Sequence, residues 1–347
     1  MIDWISGVLP FKHQHTVHDG ARVKLRADGT VEFQTLQRRE VVGSHDTGIH
    51  VVTDLSSEHH DGTFAFLKFS GNPTKLFQGH NLWGTNNPHG LVRELYAFLL
   101  GAIKGAIPSI SDRQAIEMGA VHLTRVDVNE SYHLDGPREV AAWIRAAENS
   151  VRLKHRGRGE MTDSTLYYGK RSTRWACKIY GKGQEVRDQG MDTQPGIFGL
   201  PNCMDWADRS LRVEFVIRGP ELKKRGLDVL GNWDDNTASE LHSELLHKLE
   251  FAEAMTITPA ILEELPGALR GAYALWKEGH DLRKVYSRPT FYRYRKQLLE
   301  HGIDVSIKQQ GRPDNVVPLV RILEAKPVSV PDWAHGTHLY FEPRRHA

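Results

Sequence analysis

Apolar and polar positions alternate in short runs through the first two thirds of the chain. Arg22 to Leu25, Thr30 to Gln34, Gly48 to Thr53 and Thr63 to Phe69 are alternating or β-branched stretches between Gly, Asp and His turns, and each reads as a strand. After Asn72-Pro73 comes a loop, Gln78-Gly79-His80-Asn81. A helical pattern follows from about His89 to Lys104, with Leu91, Leu95, Phe98, Leu99 and Ile103 at helical spacing. His122 to Asn129 predicts a strand, and Gly136-Pro137 starts a helix with Val140, Trp143 and Ile144 on one side. Ser164 to Tyr168 and Arg174 to Tyr180 predict two strands joined by a Gly-Lys-Arg-Ser turn, and Ser210 to Ile217 a last strong one.

Beyond residue 220 the spacing becomes helical, over Ala238 to Ala254 and Thr258 to Lys277. Ser287-Arg288-Pro289-Thr290 then opens an aromatic, basic helix that Gly302 stops, and Asn315 to Arg321 predicts a short strand. The pattern as a whole predicts an α+β fold: a central, mostly antiparallel sheet over residues 1–219 and a mainly helical region over 220–347.

Composition narrows the class. The chain has 347 residues, 39% hydrophobic and 25% charged, which is the make-up of a folded globular protein. No apolar run approaches the roughly 20 residues needed to cross a bilayer. Met1-Ile2-Asp3-Trp4-Ile5 carries neither a basic leader nor a small-residue cleavage site, so a cytoplasm is the expected place of action. Cys177 and Cys203 give no zinc spacing and no disulfide framework, and are expected to be reduced and packed.

The net charge of +2 argues at first against a nucleic-acid partner, but it hides local charge. Between Arg152 and Lys182 there are nine Lys and Arg against Glu160 and Asp163, a net of +7. Between Asp281 and His301 the net is +4, interleaved with Tyr286, Phe291, Tyr292 and Tyr294. Basic residues among aromatics suit phosphate contact and base stacking; the plain alternative is two solvated faces balanced by acidic neighbours.

Three strands carry chemistry on one face. Alternation places Arg125, Asp127 and Asn129 opposite Val126 and Val128, and Arg212 and Glu214 opposite Leu211, Val213, Phe215 and Ile217. Lys178, Tyr180 and Lys182 fall opposite Trp175, Cys177 and Ile179. If these strands share a sheet, Asp127, Glu214 and Tyr180 converge. Two carboxylates on rigid strands suit a hard divalent cation, Mg2+ or Mn2+, while Lys178 and Lys182 would balance charge on a phosphoryl transition state. A tyrosine with a pKa near 10 needs such neighbours to act as a nucleophile. Paired surface charges are the plain alternative, and His80 by itself reads more readily as a loop or cap residue than as a ligand.

Several motifs now align in order: Met1-Ile2-Asp3 with Leu9-Pro10-Phe11, Gln78-Gly79-His80-Asn81, Arg125-Val126-Asp127, and Tyr180-x-Lys182-x-x-Glu185. They continue with Arg212-Val213-Glu214, Asn315-Val316-Val317-Pro318-Leu319-Val320-Arg321 and Pro331-Asp332-Trp333. In this order the chain resembles the gene II replication initiators of filamentous bacteriophages. The resemblance implies a rolling-circle nicking and joining enzyme acting in the host bacterial cytoplasm. It would bind the phage origin in the duplex, link a tyrosine to the 5′-phosphate of the nicked strand, and leave a 3′-hydroxyl for host polymerase, with a host helicase also implied. The displaced strand would later be cut and rejoined into a circle.

The family tyrosine falls on Tyr180, with Lys182 and Glu185 beside it; Tyr167 and Tyr168 are reserve nucleophiles. Asp127 and Glu214, with His80 third, are the expected metal ligands, preferred over His13-Gln14-His15 and His59-His60. Expected DNA contacts are Arg125, Lys170, Arg171, Lys178 and Arg212, and on the basic helix Tyr292, Arg293, Arg295 and Lys296, in the manner of helix-turn-helix modules. The nuclease domain is expected over 1–219 and the DNA-binding region over 220–347. Two rivals remain: a non-catalytic origin-binding protein or repressor, and an RNA-binding regulator.

Overall fold

The computed structural model describes residues 1–153, 157–190, 194–251, 265–300, 305, 323 and 326–343. Its strands, in chain order, are β1 (Ile2–His13), β2 (Ala21–Leu25), β3 (Val31–Leu36), β4 (Arg39–Val42), β5 (Gly48–Thr53), β6 (Phe64–Gly71) and β7 (His122–His133). They continue with β8 (Val151–Leu153), β9 (Gly157–Arg158), β10 (Glu160–Thr162), β11 (Thr165–Tyr168), β12 (Trp175–Gly181), β13 (Ser210–Arg218) and β14 (Leu249–Phe251). Among the described residues, nine strands form one sheet in the order β10-β11-β12-β13-β7-β1-β6-β5-β4. Every neighbouring pair in it is antiparallel. The fold is α+β, as the alternation predicts.

The three chemistry-bearing strands are neighbours. Lys178 of β12 lies opposite Glu214 of β13, and Glu214 lies opposite Asn129 of β7. Their apolar face, including Val126, Val128, Cys177, Ile179, Val213 and Phe215, is buried. The helix Pro137–Ser150 packs there against β12 and β13, with Val140, Trp143 and Ile144 buried as their spacing requires. The helix Thr237–Leu246 covers β7 and β13, its His242 ring edge-on to Phe215.

One interior strand of the sheet, β1, is not revealed by the alternation. β1 sits between β7 and β6, and Ile2, Ile5, Leu9 and Phe11 are fully buried. A strand covered on both faces shows no polar alternation. The hairpin of β2 and β3 is the opposite case, with both strands exposed.

The expected boundary near residue 220 does not coincide with a break in packing. Leu222, Leu230, Trp233, Leu241 and Leu245 belong to the same apolar core as the sheet, and β14 pairs with β8. Farther along, the Val328 N–H donates to the Ser131 carbonyl, and Trp83 Nε1 donates to the Leu339 carbonyl at 2.8 Å. A second core begins later, where Leu265, Leu269, Tyr273, Leu282, Phe291 and Leu298 pack among the helices Gly267–Lys277, Leu282–Val285 and Arg288–Glu300. The boundary at 220 followed a change from strand to helix in the sequence, but helices of the first body lie beyond it. The predicted strand Asn315 to Arg321, and Lys154 and Arg156 of the basic loop, lie outside the described residues.

Candidate active site

The polar face of β7, β12 and β13 opens into a cavity of about 300 Å³. Tyr180, Glu214, Asp127, Lys178, Arg125 and Glu185 all line it. The Tyr180 hydroxyl donates to Glu214 Oε2 at 3.0 Å, and Lys178 Nζ donates to Glu214 Oε1 at 2.6 Å. Arg125 grips Asp127 with two N–H groups, at 2.8 and 2.5 Å, while its guanidinium lies 5.2 Å from the Trp4 ring centre.

Burial sets the electrostatics. Tyr180 is 5% exposed, and burial, with Glu214 next to it, lifts its hydroxyl well above the ordinary tyrosine pKa. Burial also works against the Glu214 charge, but Lys178 and the Tyr180 hydroxyl more than offset it and hold that carboxyl below its usual range. Burial pushes Asp127 up to about 7, Glu214 adding to the effect against the two bonds from Arg125. For Lys178 burial opposes the charge, yet Glu214 and Asp127 keep the ammonium above the ordinary lysine value.

One loop closes the cavity. Asn72 caps the helix Pro73–Gln78, and Gly79 ends it at φ 81°, a left-handed turn that a side chain would strain. Asn81 then reaches four partners: its side chain donates to Asp3 Oδ1 at 2.9 Å and accepts from Lys182 Nζ at 2.7 Å. Its N–H donates to Gln194 Oε1 and its carbonyl accepts from Arg212 at 2.6 Å.

That loop corrects three expectations. Arg212 is fully buried and donates to Ser131 Oγ and to the carbonyls of Asn81 and Leu82, so it braces the loop and has no face for DNA. Lys182 is the first residue of the helix Lys182–Gln189 and is also fully buried; its ammonium is held between Asn81 and Glu185, at 2.7 and 2.6 Å, and does not line the cavity. His80 is buried behind the loop, its Nδ1 accepting from the Leu82 N–H, and burial holds it neutral with a pKa of about 3. It does not line the cavity, so it does not join Asp127 and Glu214.

Among the described residues no three His, Cys, Asp or Glu side chains are already grouped as ligands of one ion. The carboxylate oxygens of Asp127 and Glu214 are nevertheless the donors a hard divalent cation takes, with Asp3 and Glu185 on the same cavity wall. Arg125 and Lys178 occupy the counter-charge positions in the structure. Of the reserve tyrosines, Tyr167 lines the cavity with Lys170 4.8 Å above its ring. Tyr168 points the other way, buried against the carbonyls of Ala147 and Val151. Lys170 and Arg171 are exposed on the turn between β11 and β12. Both cysteines are free and buried.

Asp3 and Trp4 are site residues that alternation alone missed, because β1 was not legible as a strand, and Asn72 is a third, a helix cap outside any alternating run. The motif Met1-Ile2-Asp3 was the available signal.

The family model for the N-terminal part of the phage replication-associated protein, the gene II protein, matches residues 1–236, and the model for its C-terminal part matches 257–340. The chain is also 35% identical over 336 residues to the replication-associated protein of Enterobacteria phage I2-2, covering 95% of each chain. The chain belongs to the gene II family of phage replication-associated proteins. The N-terminal match of this gene II family chain carries the whole cavity, and the C-terminal match spans the three-helix unit. On that unit Tyr292, Arg293 and Lys296 are exposed on one helix, with Arg293 5.3 Å from the Tyr294 ring. A solved rolling-circle replication initiator from Geobacillus stearothermophilus is a distant likeness, at 14% identity and a TM-score of 0.31 over 75% of this chain and 88% of that one. Among the described residues no helix is long and apolar enough to cross a membrane.

Proposed function

We propose that this gene II family chain initiates rolling-circle replication of a phage genome by cutting one strand of origin DNA with Tyr180. The observation that carries this reading is the Tyr180 hydroxyl, bonded at 3.0 Å to Glu214 in a cavity that also presents Lys178 and Arg125. A phosphodiester seated there would have a nucleophile, a proton acceptor and two cations around it. The tyrosine oxygen attacks phosphorus as its proton passes to Glu214. The bond from phosphorus to the 3′-oxygen breaks, and that oxygen takes up a proton to become the 3′-hydroxyl. Lys178 and Arg125 offset charge building on the non-bridging oxygens. Reversal on an incoming 3′-hydroxyl rejoins a strand, because the phosphotyrosyl ester keeps the bond energy.

A Mg2+ or Mn2+ ion, held by Asp127 and Glu214, would supply further positive charge at the phosphoryl oxygen. Lys182 and Glu185 act as positioning residues, fixing Asn81 and the cavity wall. Host helicase and polymerase would use the exposed 3′-end, in the cytoplasm of the host. The test is to incubate supercoiled origin plasmid with protein and Mg2+, digest the DNA, and map the nucleotide adduct. An adduct on Tyr180 is expected; nicking by Tyr180→Phe at the wild-type rate would overturn the reading.

The deep burial of Tyr180 and its raised pKa favour a second reading, an origin-binding protein that does not cut. Origin binding with neither nick nor adduct in the same assay would establish it.

A further inference from the structure

A second cavity, of about 360 Å³, lies beside the first. Its floor is Asn129, which is 1% exposed and whose side-chain oxygen and nitrogen both lack a partner. The buried Oδ1 of Asn86 lacks one too, and it lines the same cavity. Buried amides without partners are costly, at roughly 1–3 kcal/mol for each unmatched group, and such groups in a cavity mark a place for a polar ligand. The indoles of Trp83 and Trp206, edge to face at 5.2 Å, add aromatic surface to the lining.

The ligand that fits is planar, offers a donor next to an acceptor, and is uncharged. Glu130 is paired with the Met1 ammonium at 3.3 Å, and Asp235 and Glu342 leave the cavity net acidic, which disfavours a phosphate. A nucleobase meets these conditions, with its own phosphate left outside. An asparagine amide pairs best with adenine, donating to N7 and accepting from the exocyclic amine.

The position tells where that base comes from. Asn129 and Asp127 share one face of β7, two residues apart, or about 7 Å along the strand. The same loop separates the cavities, with Asn81 on the wall of the first and Leu82 and Trp83 on the second. We infer that this cavity captures an unpaired adenine of the DNA strand whose phosphate is presented to Tyr180, and so helps to choose where the strand is cut. The inference rests on the strand-cutting reading above. Taking a base out of the stack into a pocket beside the reacting atoms is a general way to select a site on DNA.

The test measures binding without cleavage, in chelator, by fluorescence anisotropy of labelled strands. Three are compared: twelve dT nucleotides, the same strand with one central adenine, and the same strand with a central abasic site. The wild-type protein should bind the adenine strand about tenfold more tightly than either other. Asn129→Leu should bind all three alike. If that variant does not fold, as judged by circular dichroism, Asn86→Leu in the same cavity carries the test, with the preference reduced. Equal binding of all three strands by the wild type would mean a cavity that holds only water, and would overturn the inference, as would an unchanged preference in a folded Asn129→Leu protein. An adenine preference without a tyrosine adduct in the nicking assay would leave the pocket standing and sink the proposed chemistry; an adduct without the preference would do the reverse.

Discussion

Tyr180 gives its proton to a hydrogen bond with Glu214, 3.0 Å away, and no solvent path is needed for that proton to move. The acceptor is already charged, because Lys178 sits 2.6 Å from its other oxygen. Glu214→Gln should therefore keep an acceptor for the hydroxyl while removing the base. Single-turnover nicking should fall about 10²- to 10⁴-fold with origin affinity within about threefold. A wild-type rate would exclude Glu214 as the proton acceptor.

Metal dependence follows from the carboxylates. Chelation should abolish nicking, and Mg2+ or Mn2+ should restore it. Asp127→Ala with Glu214→Ala should also stop cleavage while gel-shift affinity for origin DNA is retained. Equal loss of binding and cleavage would show that the two carboxylates serve the fold.

Arg212 should matter for the loop and not for the salt dependence of DNA binding. Arg212→Leu leaves the Asn81 and Leu82 carbonyls without their donor inside the protein, a loss of roughly 1–3 kcal/mol for each. A lower urea midpoint with an unchanged salt slope is expected. A flatter slope would return Arg212 to the DNA surface.

The exposed helix is the opposite case. Arg293→Ala with Arg295→Ala should weaken origin binding and reduce the slope of log K against log salt by about 0.9 for each phosphate no longer neutralised. The same slope in the double variant would leave that helix without a role on DNA.

Acid should loosen the protein through its buried imidazoles. Burial holds His80 at about 3 and His242 at about 4, against an ordinary value near 6.5. The unfolded chain thus takes up protons that the folded one refuses, so stability present at neutral pH is lost as pH falls below about 6.5. From pH 7 to pH 5 the loss should reach about 2 kcal/mol for each imidazole. Asp127, pushed up to about 7, takes up its proton in the folded state over the same range and offsets roughly one imidazole. The test is therefore a difference: between the two pH values His242→Gln should lose about 2 kcal/mol less than the wild type by urea unfolding, and equal losses in the two would count against it.

Much of the site was legible because three strands carry an apolar face and a polar one. On β7, β12 and β13 a two-residue period separates Val126 from Asp127, Ile179 from Tyr180 and Val213 from Glu214, and the structure keeps that division. The period says which way a side chain leaves the strand, but not what stands above it. Arg212 shares a face with Glu214, yet the loop at Asn81 lies over it and turns a surface cation into a brace. Lys182 continues the parity of Tyr180, but the strand ends at Gly181 and a helix begins. His80 has no periodic neighbours to place it. Tyr167 and Tyr168 differ by one position, and that single step puts one on the cavity and the other in the core.

β1 carries a further consequence. It precedes both of its partners in the chain and joins the two halves of the sheet. Ile5 pairs with Gly71 on one side and with Val126 on the other. Pairings so distant along the chain are slow to form. Until β7 has been made, the nascent protein therefore carries this long apolar strand with one edge unpaired, and in that interval it is a natural client for chaperones.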